Sequence, residues 1–110
     1  MLEQEVELAI GEFVSRIKES ATYKEYSLQL AKLKEHPQEY QQVNEYRKKN
    51  FELQNTTQVD ELFDKMYMFE KEYEEFRENP LVDDFLRAEL AFCRMMQEID
   101  LSIAEKLDFE

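Results

Sequence analysis

The stretch that decides the fold is NPLVDDFLRAELAFCRMMQEIDLSIAEKL, from Asn79 to Leu107. It opens with an Asn-Pro pair, which is typical of a helix start, and then runs without a helix breaker for about seven turns. Its apolar residues fall on too many sides to share one stripe about 100° wide. They include Phe85, Leu86, Ala88, Leu90, Ala91, Phe92, Cys93, Met95 and Met96. Such a helix must be covered on two sides, so we expect its own core on one side and another protein on the other.

The composition indicates a single all-α domain that covers residues 1–110. The chain has one glycine, Gly11, and two prolines, Pro37 and Pro80, so little interrupts regular structure. Hydrophobic residues make up 43% of the chain and charged residues 36%, which is too apolar for a disordered protein. A chain of 110 residues can hold one hydrophobic core of modest size.

Apolar residues at steps of three and four predict five helical segments in an array or bundle. The segments cover residues 2–20, 22–36, 37–55, 58–78 and 80–107. Thr22 and Glu25 form a capping box at the start of the second segment, and Thr57 is a candidate N-cap for the fourth. The third segment is the least apolar, so we expect it on the outside of the fold.

Two of the other segments carry clear apolar faces. The first predicts one amphipathic stripe, formed by Leu2, Val6, Ala9, Ile10, Phe13, Val14 and Ile17. The fourth predicts a core face, formed by Val59, Leu62, Phe63, Met66, Phe69, Tyr73 and Phe76. We expect the face of the fourth segment to contribute to the hydrophobic core, and Tyr67 and Met68 widen it beyond one stripe.

The length of the last helix predicts a dimer. A helix from Pro80 to Leu107 would be about 40 Å long, whereas a domain of this size has a radius of gyration of about 13 Å. The helix therefore overhangs its own core or packs along a second copy, and a homodimer is the simplest closed assembly. The candidate interface residues are Phe85, Phe92, Met95, Met96, Ile99, Met66 and Met68.

The formal net charge of −12 limits the partners. An acidic chain repels phosphate, so we expect no direct contact with nucleic acid. The one basic run, Arg47-Lys48-Lys49, lies among glutamates and is interpreted as a solvated helix face. A basic protein partner, or simple solubility, explains the acidity better.

Motifs that carry chemistry are sparse. One glycine excludes a glycine-rich phosphate loop, and the only histidine, His36, is not part of a Glu-x-x-His metal pair. Cys93 is interpreted as a small buried hydrophobic residue, because Phe92 and Met96 lie beside it on a helix. We interpret the glutamates of residues 72–78 as a solvated surface.

We therefore predict no enzyme, no catalytic residue, no cofactor-binding residue and no metal ligand. The alternative is a metal- or iron–sulfur-binding helical protein, or a bundle enzyme that uses carboxylates. One cysteine fits a reducing compartment, and no apolar run approaches the 18 or so residues that span a bilayer. With an acidic N-terminal segment unlike a signal peptide, we expect a cytoplasmic protein without a membrane anchor.

Several short motifs resemble the YlbF/YmcA family of small bacterial regulators. They are Glu78-Asn79-Pro80-Leu81-Val82, followed by Phe85, Leu86, Ala88 and Glu89. The region with Glu19, Lys24 and Tyr26, and the segment His36-Pro37-Gln38-Glu39, are similar to the early helices of that family. His36 departs from the acidic residue that usually precedes this proline.

The resemblance implies an all-helical cytoplasmic oligomer without catalysis of its own. It implies possible partners among related family proteins, in complexes that assist an endoribonuclease and affect competence, sporulation and biofilm formation. Some family members bind an iron–sulfur cluster through cysteines. This chain has only Cys93, so we expect no cluster.

Overall fold

The computed structural model describes residues 1–56 and 58–108, and almost all of these residues are helical. The helices are α1 (Gln4–Glu19), α2 (Ala21–Lys34), α3 (Pro37–Thr56), α4 (Val59–Glu72), α5 (Glu74–Glu78) and α6 (Pro80–Lys106). No strand occurs within these described ranges. The prediction of an all-α fold with a long C-terminal helix is confirmed.

The fourth predicted segment is two helices rather than one. The backbone at Tyr73, between α4 and α5, has φ −104° and ψ 14°, which is outside helical geometry. No proline or glycine causes this break. The Tyr73 ring instead packs edge-on against Tyr46 of α3, with 5.2 Å between ring centroids. A contact between residues so far apart in the chain leaves no local sequence signal.

The start of α2 lies slightly earlier than the capping box predicted. The Ser20 hydroxyl, not that of Thr22, accepts a hydrogen bond from the backbone N–H of Tyr23 at 3.1 Å. The same hydroxyl donates to the backbone carbonyl of Ile17 at 2.6 Å, so one side chain serves both helix ends. Thr57, the other predicted cap, lies outside the described residues.

Asn79 begins α6 as its sequence predicts. Its Oδ1 atom accepts a hydrogen bond from the backbone N–H of Leu81 at 3.0 Å, and its carbonyl accepts one from Asp83 at 2.9 Å. The first bond satisfies an N–H group that a helix start leaves unpaired, the second is the first regular bond of the helix, and Pro80 has no N–H to satisfy.

Asn79→Ala should lower the free energy of unfolding by about 1 kcal/mol, because the alanine cannot accept the Leu81 hydrogen bond. Urea unfolding followed by circular dichroism measures this loss. Gln38→Ala is the matched control, since Gln38 is an exposed residue in the first turn of α3. Its effect should stay within about 0.5 kcal/mol. Equal midpoints for the two variants would contradict the capping role of Asn79.

The chain forms two compact units. The terminal unit comprises Met1–Gln29 and the described residues from Arg87 onward, and the central unit comprises Leu30–Leu86. Helices α2 and α6 contribute residues to both units. That the whole chain is a single domain stays a prediction.

The central unit contains most of the buried apolar residues. They are Leu33 of α2, Val43 of α3, Phe69 of α4, and Val82 and Phe85 of α6. Val43, which belongs to the weak apolar stripe predicted for α3, is fully buried, whereas most other residues of α3 are exposed. One buried valine thus anchors α3 to the core, and the rest of that helix remains at the surface.

Aromatic rings extend this core between α3 and the α4–α5 segment. Tyr46 stacks on Phe69 at 5.2 Å between centroids, and Phe69 contacts Tyr73 at 4.9 Å. Phe76 lies 5.6 Å from both Tyr46 and Tyr73. Such ring pairs add about 0.5–1.5 kcal/mol each beyond the burial of their area.

As for a membrane, none of the helices in the described part of the chain is both long enough and apolar enough to cross one.

Candidate assembly surface

The apolar side of α1 is exposed in the terminal unit. We call Val6, Ala9, Ile10, Phe13, Val14 and Ile17 the α1 stripe, since their spacing places them on one side of the helix. None of the residues of α1 is buried. Val6 is 45% exposed and Phe13 is 42% exposed. The sequence predicts the stripe, and the structure leaves it without a fully buried residue.

A groove lies beside the α1 stripe. Its volume is about 430 Å³, and it is lined by Phe13 of α1 and by Ile99, Ser102, Ile103 and Lys106 of α6. Apolar atoms dominate this lining, and Leu90 and Leu101 of the same unit are also exposed. An exposed apolar surface of this extent is typical of a protein interaction site.

An aromatic contact joins the beginning of α2 to α6 in the same unit. The Tyr26 ring stacks on Phe92 with 5.0 Å between centroids and 12° between ring planes. Tyr23 contacts Phe92 edge-on at 5.5 Å. These rings hold the beginning of α2 against α6.

The structure places the predicted interface residues in three different environments. Phe85 is fully buried in the central unit, so it forms part of the core and presents no accessible surface. Phe92, Met95, Met96, Ile99 and Met66 are partly buried, whereas Met68 is exposed. Phe85 is buried because the first turns of α6 belong to the central unit, and sequence periodicity does not reveal which turns do so. The interface role of the other residues stays a prediction.

Cys93 is exposed, which corrects the prediction of a buried position. The side of α6 that carries it is left uncovered, although apolar neighbours surround it in sequence. Within the described ranges, no group of three or more His, Cys, Asp or Glu side chains is placed to hold a metal ion.

The acidic run at the end of α4 and in α5 pairs with surface lysines. The Lys49 Nζ atom lies 3.6 Å from Glu72 Oε1, and the Lys71 Nζ atom lies 4.0 Å from Glu74 Oε2. All four side chains are more than half exposed, so these pairs add little to stability. Glu75 and Glu78 are also exposed, in keeping with a solvated surface.

An open groove of about 750 Å³ lies between α3 and α4 in the central unit, with Leu53 and Phe69 among its lining residues. Three lysines, Lys49, Lys65 and Lys71, also line it. The pKa of Lys49 is raised, first by its hydrogen bond to the Tyr73 side chain and then by the nearby Glu72 carboxylate. Each of the three lysines has a carboxylate within 4.0 Å, so the groove carries no excess of positive charge suited to an anion.

Comparison with known proteins supports the regulatory interpretation. Residues 6–108 match the model of a family described as control of competence regulator ComK, YlbF/YmcA. The chain belongs to this family. The match covers almost all of the sequence, including most of both segments of the terminal unit, and the family description indicates a regulatory role.

A curated relative supports the same membership. The chain is 25% identical over 101 residues to a UPF0342 protein of Caldicellulosiruptor bescii, which covers 90% of this chain and 85% of the relative. No solved structure matches the chain significantly.

The sequence predicts an interaction role for α6, which stays a prediction, but it does not reveal that α1 is exposed. The apolar periodicity of α1 is as regular as that of a core helix, so it gives no sign that the helix remains uncovered. A weak signal was available, because Glu5 and Glu7 begin α1 whereas Arg16 and Lys18 end it. Opposite charges at the two ends of one amphipathic helix suit an antiparallel partner.

Proposed function

We propose that this member of the YlbF/YmcA family is a non-enzymatic regulatory adaptor that acts through helix-mediated assembly. One observation carries the proposal: a 16-residue amphipathic helix, α1, buries none of its residues. Four large apolar side chains of the α1 stripe, those of Val6, Ile10, Phe13 and Val14, keep 39–45% of their surface exposed. Covering that surface would contribute about 25 cal/mol for each Å² of apolar area removed from water. A partner that covers α1 recovers that free energy.

The occupant that we propose for the α1 stripe is a second copy of the chain. A two-fold axis would place two α1 helices antiparallel, with the same stripe facing itself. At 3.6 residues per turn, Glu7 and Lys18 lie on one flank of the stripe, and Glu5 and Arg16 lie on the other. In the antiparallel pair, Glu7 of one copy would face Lys18 of its partner, and Glu5 would face Arg16.

These four charges also suit the dipole of α1 itself, in which acidic residues favour the start and basic residues the end. The dipole does not explain why the charges border the apolar stripe on both sides. A self-association interface explains both the uncovered stripe and its charged borders. Both ion pairs fit a register centred between Ile10 and Phe13.

The family description supports a regulatory role for the assembled protein. We propose that the dimer works in the cytoplasm, in a complex with related family proteins or with an endoribonuclease. Such a complex would modulate RNA processing or the control of competence, sporulation and biofilm formation. Its contact would be with protein rather than with RNA, because the net charge of −12 repels phosphate.

The non-enzymatic part of the proposal rests on the side chains available for chemistry. The glutamates of α5 are exposed to water, and His36 is exposed at the end of α2. Catalytic carboxylates and imidazoles generally need a partly desolvated site that tunes their pKa values. An adaptor needs only a surface, and the exposed apolar side of the terminal unit provides one.

Light scattering coupled to gel filtration tests the self-association directly. We expect the wild-type protein to elute with twice the mass of one chain at micromolar concentration, because the α1 stripe is then covered. The mass should fall toward that of one chain on dilution, as mass action requires. A single-chain mass throughout the micromolar range would contradict self-association.

A further inference from the structure

A second exposed apolar surface lies on α4, in the central unit. Val59, Phe63 and Tyr67 follow one another at four-residue steps, so they share one side of the helix. Their exposed fractions are 78%, 82% and 62%. We call these three residues the α4 stripe.

The α4 stripe differs from the side of α4 that forms the core. Phe69 is buried and stacks on Tyr46 of α3, whereas Leu62 and Met66 are partly buried. The sequence predicts one continuous core face for all these residues, yet Val59 and Phe63 were assigned to it wrongly. The apolar part of α4 is wider than the surface that α3 covers, so one edge remains in water.

The extent of the α4 stripe is what an interaction site requires. An aromatic side chain contributes about 150–250 Å² of surface when it is covered, and the stripe holds two such residues. Together with Val59 they approach the few hundred Å² at which a contiguous apolar patch marks a binding site. Single exposed apolar residues need no explanation, but three adjacent ones on the same side of a helix do.

The charges around the α4 stripe indicate the kind of partner. By helical periodicity, Asp60 and Asp64 border it on one side, and Glu70 lies about one turn beyond Tyr67 at its C-terminal end. None of these three carboxylates forms an ion pair with a residue in the described part of the chain. The Lys71 ammonium lies 5.7 Å from the centre of the Tyr67 ring, but Glu74 is within 4.0 Å of it. The border of the stripe is therefore negatively charged.

This border argues against a second copy, a nucleic acid or an anionic membrane as occupant. A symmetric contact between two α4 stripes would bring Asp60, Asp64 and Glu70 of both copies together, and like charges in an interface are unfavourable. Phosphate groups would meet the same repulsion. A helix with apolar residues on one side and lysines or arginines beside them would satisfy both the stripe and its carboxylates.

We propose that the α4 stripe is a docking site for a basic amphipathic helix of another protein. The partner's apolar residues would cover Val59, Phe63 and Tyr67, and its cations would face Asp60, Asp64 and Glu70. This site belongs to the central unit and uses none of the residues proposed for self-association. The protein would thus assemble with itself through α1 and with a different partner through α4.

A model peptide tests the proposal on the full-length protein. The probe is a fluorescently labelled helical peptide of leucine and lysine, about 18 residues long so that it exceeds the usual minimum for an isolated helix. Fluorescence anisotropy should show binding to the wild type that weakens as salt is added. The same peptide with glutamate in place of lysine should not bind.

Two variants with matched controls locate the binding site. Phe63→Ser should weaken peptide binding at least about tenfold, as loss of a central aromatic contact generally does. Phe51→Ser, at a phenylalanine of α3 that is 68% exposed, should leave binding unchanged. Asp64→Asn with Glu70→Gln should weaken binding and reduce its salt dependence, whereas Glu35→Gln with Glu45→Gln, in the same unit, should do neither.

Three results would overturn the proposal. The first is no binding of the lysine peptide to the wild type, and the second is equal binding by Phe63→Ser. The third is a lower mass of Phe63→Ser in light scattering without peptide, which would show that a second copy occupies the α4 stripe. Because the peptide assay and the light-scattering mass are separate measurements, failure of this site and failure of self-association through α1 can be told apart.

Discussion

Phe13→Glu is expected to convert the self-associated protein into a monomer throughout the micromolar range. Phe13 is near the middle of the α1 stripe and lines the groove with Ile99 and Ile103. A two-fold interface loses this ring twice, and a central aromatic residue is worth about 2 kcal/mol or more. A loss of about 4 kcal/mol weakens self-association by about a thousandfold.

Light scattering gives the mass of the variant, and circular dichroism checks that α1 remains helical. Glutamate is a better helix former than phenylalanine, so the change should not unfold the helix by itself. Phe51→Glu is the matched control, because it makes the same substitution at an exposed residue of α3. A dimeric Phe13→Glu protein would contradict the assignment of this interface.

Charge reversal separates the antiparallel register from a general loss of folding. Arg16→Glu with Lys18→Glu should weaken self-association, since each new carboxylate would face Glu5 or Glu7 of the partner. Adding Glu5→Lys and Glu7→Lys to this variant should restore the dimer, because every pair is again of opposite charge. Both variants place charges against the α1 dipole, and Arg16→Glu also loses the Glu19 ion pair, so circular dichroism must show that α1 stays helical in each. Failure of the second pair to restore the dimer would rule out the proposed register.

Phe85→Ala should lower the free energy of unfolding by about 3–5 kcal/mol, which is the usual cost of removing a large buried ring. Phe85 is fully buried, and the Arg47 guanidinium lies 5.6 Å above the centre of its ring. Small domains have a total stability of only about 5–15 kcal/mol, so this variant should be close to unfolding. The urea midpoint, measured by circular dichroism, should fall by about 1–3 M.

Two controls make this result specific to the core. Phe85→Leu keeps most of the apolar volume, so it should cost clearly less than Phe85→Ala. Phe51→Ala removes the same ring from an exposed position and should change stability by no more than about 1 kcal/mol. All three variants need the same protein concentration, because self-association adds to apparent stability. Equal losses for Phe85→Ala and Phe51→Ala would contradict the burial of Phe85.

Local features of the sequence predict the helices of this protein well. Asn79 and Pro80 place the start of α6, and Pro37 places the start of α3. Both helix starts depend on interactions within a few residues, such as the hydrogen bond from the Leu81 N–H to Asn79. The local sequence is therefore enough to predict where these two helices begin. The exception is Tyr73, whose departure from the helix accompanies a contact with Tyr46, far away in the chain.

The division of apolar residues between core and surface could not be predicted in the same way. Phe63 and Phe69 both belong to the expected core face of α4, yet Phe69 is buried and Phe63 is 82% exposed. Val43 is buried, although it belongs to the most polar long helix. Whether a residue is covered depends on which part of its helix a neighbouring helix contacts. That contact depends on residues distant in sequence.

For the candidate assembly surface, too, the sequence indicates that apolar surface exists but not which residues are exposed. Sequence alone indicated a terminal helix with too much apolar surface for one core, and it indicated an acidic chain that favours protein partners. It did not indicate that α1 is uncovered, that Cys93 is exposed, or that Phe85 is buried.

The sequence by itself therefore determined the all-α class, most helix boundaries and the family of this protein. These follow from helix periodicity, from caps formed within four residues, and from short motifs read along the chain. Only the tertiary structure decided which apolar sides are core and which remain available to a partner. Burial is a property of packing between distant segments, whereas periodicity reports only that a helix has an apolar side.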